Sequence, residues 1–185
     1  MISEQPDLLK IALAGTHKVG KSKLIERFTS DTFVDPLPCV LGIEFVRFPQ
    51  KIVKIRLGSL ECKLQVWDNA LAEGYSTVLA AYYRKVHGVM LVYSVTERSS
   101  FSKIQTWADT VMQAAPNAAM LLVGSKADLR SDREVSYCEG VQLAESLGVP
   151  FLEASARTAT NVDSAFALLT RLAVEECSLS TSRNS

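Results

Sequence analysis

Gly15-Thr16-His17-Lys18-Val19-Gly20-Lys21-Ser22 follows an apolar run, Leu8–Ala14, and precedes an amphipathic one, Lys23–Phe28. Two glycines bracket four residues, and Lys-Ser follows the second. This is the phosphate-binding loop pattern, placed where a strand turns into a helix. Such a turn aims several backbone N–H groups at one point, and the helix N-terminus adds partial positive charge. Gly15, His17, Lys18, Val19, Gly20, Lys21, Ser22 and Lys23 are therefore expected around the phosphates of a nucleotide. Lys21 would reach the terminal phosphates, and the Ser22 hydroxyl would hold Mg²⁺. A glycine-rich turn with an incidental lysine is the alternative.

Composition narrows the classes around that loop. The chain of 185 residues is long enough for one domain with a full core. Its formal net charge of zero argues against a general nucleic-acid or acidic-membrane role. No run approaches the length of a membrane span, and Met1–Asp7 lacks the basic-then-apolar form of a signal peptide. Four cysteines, Cys39, Cys62, Cys138 and Cys177, stand far apart without metal-ligand spacing and read as reduced thiols. With only two histidines, His17 and His87, a histidine-rich metal site is excluded.

Strand-like and helix-like runs alternate. Strands are expected at Leu8–Ala14, Glu44–Leu57 (interrupted near Pro49), Leu60–Asp68, Val89–Val95, Ala119–Ser125 and Pro150–Ala154. Continuous apolar runs such as Val89–Tyr93 and Met120–Val123 suit strands buried on both faces of a parallel sheet. Helices are expected at Lys21–Ser30, Ala72–Lys85, Ser99–Ala115, Ser136–Leu147 and Asn161–Glu176. Ser136 with Glu139 three residues on fits a capping box, and Gly148 is a stop signal. The alternation predicts an α/β fold: a six-stranded, mostly parallel sheet with one antiparallel edge strand and five helices on both faces. Residues 1–177 read as a single domain and 178–185 as a polar, disordered tail.

Three more segments fall at strand ends, where ligands of open α/β sheets bind. Leu64–Asp68 ends in a carboxylate that suits Mg²⁺ beside Ser22. Ser125-Lys126-Ala127-Asp128, with Leu129 adjoining, supplies a carboxylate able to accept two N–H bonds from guanine that adenine does not offer. Ser155, Ala156 and Arg157 follow the last strand, where backbone N–H groups would meet the guanine oxygen. Each segment is a common one; together, and in this order, they describe one site.

From about Lys10 to Glu176 the chain resembles a Ras-superfamily small GTPase, nearest the Rab type. The resembling text includes Gly42-Ile43-Glu44-Phe45, Lys63–Asp68, Tyr82-Tyr83-Arg84, His87-Gly88 and Leu91-Val92-Tyr93. The resemblance implies a phosphate-loop G domain that binds GDP or GTP with Mg²⁺. It places Phe33 as the aromatic ring stacked on guanine. It places Phe45, Trp67 and Tyr82 on a surface triad for effector proteins; the plainer reading of those three is ordinary core.

The departures from the family pattern are uneven. The switch-one threonine that ligates Mg²⁺ is here Val40, without a ligand oxygen. Where the family has Asp-x-x-Gly-Gln, this chain reads Asp68-Asn69-Ala70-Leu71-Ala72. Leu71 adds a branched side chain where glycine allows close approach to the γ-phosphate. Ala72 replaces the glutamine that orients the attacking water, so no catalytic residue is assigned. His17 and Lys18 stand where small residues are usual, crowding the γ-phosphate and barring an arginine finger; Lys18 as compensating charge is the lesser alternative. Ser125 replaces asparagine, a change expected to weaken base binding by about 1 kcal/mol. Arg157 replaces lysine.

The expectation is therefore a Rab-like trafficking or signalling protein that binds guanine nucleotide but hydrolyses GTP slowly or not at all. The alternative is a constitutive scaffold whose nucleotide is structural. A small-molecule kinase would need a lid of phosphate-clamping arginines, and no such cluster occurs in the sequence. The chain ends in Ser-Arg-Asn-Ser, and Cys177 is too far upstream for a prenylation box. The expected location is the cytoplasm, with endomembrane attachment through a partner or a lipidated end not included in this sequence.

Overall fold

A computed structural model describes residues 8–33, 50–57, 60–68 and 83–183. The strands are β1 (Leu9–Ala14), β2 (Gln50–Leu57), β3 (Leu60–Asp68), β4 (Gly88–Ser94), β5 (Ala119–Ser125) and β6 (Phe151–Glu153). The described helices are α1 (Lys21–Ser30), α2 (Arg98–Ser102), α3 (Ile104–Ala114), α4 (Tyr137–Leu147) and α5 (Val162–Arg183). The six strands form one sheet in the order β2-β3-β1-β4-β5-β6. Only the β2–β3 pair is antiparallel, with Gln50 opposite Trp67 and Leu57 opposite Leu60. The remaining neighbours run parallel.

Strand alternation divides the core into two layers. Leu9, Ile11 and Leu13 of β1 point to the face covered by α1 and α5, joining Leu24, Phe166 and Leu169. Ala12 and Ala14 point to the other face with Val89, Leu91 and Tyr93 of β4, under Ile104, Ala108 and Val111 of α3. All seven residues of β4 are buried, as a central strand covered on both faces requires. Burying each large aliphatic side chain contributes roughly 1.5–3 kcal/mol. Phe28 and Phe166 stack with ring centroids 4.0 Å apart, fixing α1 against α5.

The expected capping box forms: Ser136 Oγ accepts the Glu139 N–H, and Glu139 Oε2 accepts the Ser136 N–H at 2.9 Å. Gly148 closes α4 with φ 66°. Two expectations need correction. The segment expected as one helix, Ser99–Ala115, is two, separated at Lys103 (φ −89°, ψ −6°). Ile104, Ala108 and Val111 bury on one stripe against Val89, Leu91 and Tyr93 of β4. The tail expected from Ser178 is helical through Arg183. No Gly or Pro interrupts this stretch, and Ser178 Oγ donates back to the Val174 carbonyl at 3.0 Å. The helix expected at Ala72–Lys85 lies almost wholly outside the described residues, as does the first part of Glu44–Leu57. Among the described residues, no helix is long and apolar enough to cross a membrane.

Candidate functional site

The carboxyl ends of β1, β3, β5 and β6 lie along one rim of the sheet, and every sequence-predicted segment emerges there. At the end of β1 the chain turns sharply. Gly15 has φ 146°, and a Cβ at this position would stand 2.1 Å from the Val92 carbonyl oxygen. Gly20 begins α1 in the left-handed region, φ 99°. The first turn of α1 has neither a side-chain cap nor an acidic residue. The expected use of such an uncapped turn is to meet an anion with its N–H groups.

Lys21 is 5% exposed, and its ammonium donates to the carbonyls of Gly15 and Thr16, both at 2.7 Å. This holds the charge under the loop. His17 and Lys18 are exposed on the rim, while Val19 is buried beneath it. Lys18 takes φ 62°, a conformation costing a residue with a Cβ about 1 kcal/mol.

Asp68, at the end of β3, is buried, and its Oδ1 has no hydrogen-bond partner among the described residues. Burial pushes its carboxyl above the usual range, while the Ser22 hydroxyl bond and the Lys21 charge oppose that rise. An orphaned carboxylate oxygen beside a hydroxyl is a donor set that fits a hard divalent cation such as Mg²⁺.

Next to the loop opens a cleft of about 620 Å³. Lys18, Gly20 and Lys23 line its phosphate-loop side, with Phe33 at the mouth. Ser125, Lys126, Asp128 and Leu129 form one further wall, and Ala156 and Arg157 another. The lining carries four cationic side chains against one carboxylate, a balance suited to a polyphosphate. Asp128 Oδ1 accepts the Ser155 hydroxyl at 2.6 Å, and its Oδ2 lies 3.8 Å from Arg157 Nε. A carboxylate has further lone pairs, so these partners fix its plane without saturating it. The Arg157 guanidinium sits 5.1 Å from the Phe33 ring centroid and the Lys23 ammonium 5.8 Å from it.

Three residues important to this geometry were not identified from sequence, or not in this role. Leu24 adds an apolar surface to the cleft floor. Ser125 is 1% exposed, and its Oγ bonds the Val19 and Tyr93 carbonyls. These bonds tie β5 to the phosphate loop, a role separate from the base contact expected of this position. Arg27 reaches from α1 to the Ala156 carbonyl at 2.8 Å. The Val19 carbonyl bonded by Ser125 and the Ala156 carbonyl bonded by Arg27 are each more than a hundred residues away and left no local signal.

Trp67 is half-buried against the core on the α3 side of the sheet, with the Lys10 ammonium 4.6 Å over its ring. Its proposed triad partners Phe45 and Tyr82 lie outside the described residues, as do Val40, Leu71 and Ala72.

Comparison with known proteins agrees with this architecture. The family profile described as Ras family matches residues 10–175. GTP-binding protein ypt2 of Schizosaccharomyces pombe is 44% identical over 165 residues, covering 89% of this chain and 80% of that protein. Ras-related protein RIC1 of Oryza sativa subsp. japonica is 40% identical over 167 residues, covering 90% of this chain and 80% of that protein. The chain belongs to the Ras family and is a Rab-like small GTPase of the superfamily.

Proposed function

We propose that this protein binds guanine nucleotide with Mg²⁺ in the cleft between the phosphate loop and Arg157, acts in intracellular trafficking, and hydrolyses GTP very slowly or not at all. The observation that carries the binding half is the Asp128 carboxylate, oriented by Ser155 in a cationic cleft with Phe33 at its mouth. Asp128 would accept the two guanine N–H groups, Phe33 would cover the base, and the Ala156 segment would meet its carbonyl. Lys21 and the first-turn N–H groups of α1 would take the phosphates. Ser22 and Asp68 would hold Mg²⁺, which neutralises phosphate charge.

The slow-hydrolysis half rests on residue chemistry. The Val40 side chain has no oxygen for a cation, Leu71 would crowd the outermost phosphate where glycine would not, and the Ala72 methyl could orient no water. The unaided reaction in the family already runs at only about 10⁻⁴ s⁻¹. The test is a single-turnover measurement of phosphate release from GTP-loaded protein. The expected rate lies well below that of an ordinary Rab protein measured alongside; an equal or faster rate overturns the slow-hydrolysis reading.

The same substitutions favour a second reading, a constitutive scaffold recruiting partners through Phe45, Trp67 and Tyr82. Equal partner affinity of the GDP and GTP-analogue forms supports the scaffold. A clear preference supports a switch, since a ligand shifts states only by binding them differently.

A further inference from the structure

Arg27 stands on the last turn of α1, with its side chain 16% exposed. Its guanidinium makes four hydrogen bonds to two separate segments. Nε donates to the Ala156 carbonyl at 2.8 Å and Nη2 to the Arg157 carbonyl at 3.2 Å. Nη1 donates to the Asp31 carbonyl at 2.9 Å and to Asp31 Oδ1 at 3.0 Å. Asp31 is the cap of α1, in the left-handed region at φ 49°, and its own N–H donates to the Arg27 carbonyl at 2.9 Å. Arg27 therefore holds Asp31 from both backbone and side chain. Two residues further on is Phe33, whose ring lies against the Arg157 guanidinium.

A planar fork with five donors can bridge acceptors at fixed angles; a lysine ammonium cannot. The partners are two consecutive carbonyls of the loop after β6 and both acceptors of the residue that leads to Phe33. We infer that Arg27 is a positioning residue for nucleotide retention: it ties the base-facing loop 155–157 to the segment carrying Phe33, so these two walls open as one unit. This deepens the guanine-nucleotide reading and rests on it. Arg27 itself lies outside the cleft lining, so its effect would pass through the walls.

The test follows release of N-methylanthraniloyl-GDP, chased by excess GDP, from wild type, R27A, R27K, F33A and R27A/F33A. R27A is expected to release about ten-fold faster, the loss of several net hydrogen bonds offset by rehydration. R27K is expected between the two, because it restores a charged donor without the fork. F33A is expected to accelerate release less in the R27A background than in wild type, since coupled residues are non-additive. A merely structural arginine would lower the melting temperature and leave the two effects multiplicative. Multiplicative effects, or release from R27A and R27K at the wild-type rate, overturn the inference. If R27A does not fold, the R27K and R27K/F33A pair gives the same coupling. Wild type that takes up no labelled GDP overturns the guanine-nucleotide reading and this inference with it; a failure confined to the Arg27 variants overturns this inference alone.

Discussion

The two ends of the cleft are built from different material. The phosphate end is mostly main chain: the turn at Gly15, the left-handed Gly20 and the uncapped first turn of α1, with Lys21 tucked beneath. The base end is side chains: Asp128 held by Ser155, Arg157 against Phe33, Arg27 behind both. A site made of backbone N–H groups tolerates an exposed new side chain, such as His17, but not a Cβ that meets backbone, as one at Gly15 would. A site made of side chains tolerates replacement only where the new atom keeps the old bond. Ser125, short as it is, reaches the Val19 carbonyl from the end of β5.

The strongest way to break the contrast is Gly15→Ala. The added methyl would meet the Val92 carbonyl oxygen at 2.1 Å, and φ 146° disfavours any residue with a Cβ. The obstacle is backbone, so β1 and β4 would have to part. A loss of about 3 kcal/mol or more is expected in urea unfolding, with nucleotide retention lost as well. An unchanged midpoint would mean that the phosphate end does not depend on close main-chain approach.

The base end should fail differently. Asp128→Asn preserves shape, so the melting temperature should change little while guanine affinity falls. Replacing an ionised acceptor of two N–H groups costs about 3 kcal/mol, roughly a hundred-fold in affinity. Competition binding with GDP and IDP, which lacks the exocyclic amine, reads it: the variant should lose most of its preference for GDP. Retained preference would remove Asp128 from base recognition.

The same distinction explains what the sequence could reveal. Features completed within a few residues were legible. Ser136 and Glu139 announce their own capping box, and β3 and β5 begin and end where turn signals place them. The phosphate loop is legible because its glycines carry the geometry themselves. Bonds spanning the fold were not. Arg27 reads as one more cation on an amphipathic helix, although two of its four acceptors, the Ala156 and Arg157 carbonyls, are 129 and 130 residues away. Lys103 gives no breaker signal, so α2 and α3 read as one helix. The serine-rich end has the composition of a tail, but it contains no Gly or Pro to break the helix that runs through Arg183.

Asp68, proposed above as a cation ligand, would be the exception that sharpens the comparison: a side chain serving the phosphate end. Its carboxyl is held above the usual range chiefly by burial, so the folded protein binds this proton more tightly than the unfolded chain does. Without a cation, that term favours the fold at low pH and is lost as pH rises through the raised value. A divalent cation competes with the same proton, so its stabilisation should grow as the proton leaves. Thermal melts with saturating GDP, in Mg²⁺ or in chelator, should diverge with rising pH and converge in acid. Asp68→Asn removes the buried charge. The chelated protein should then be as stable as wild type or slightly more so, and the Mg²⁺ increment should shrink to a small, pH-independent remainder from the nucleotide itself. An increment in the variant equal to that of wild type at neutral pH would show that the orphaned Oδ1 faces no cation, leaving the phosphate end wholly to the main chain and Lys21.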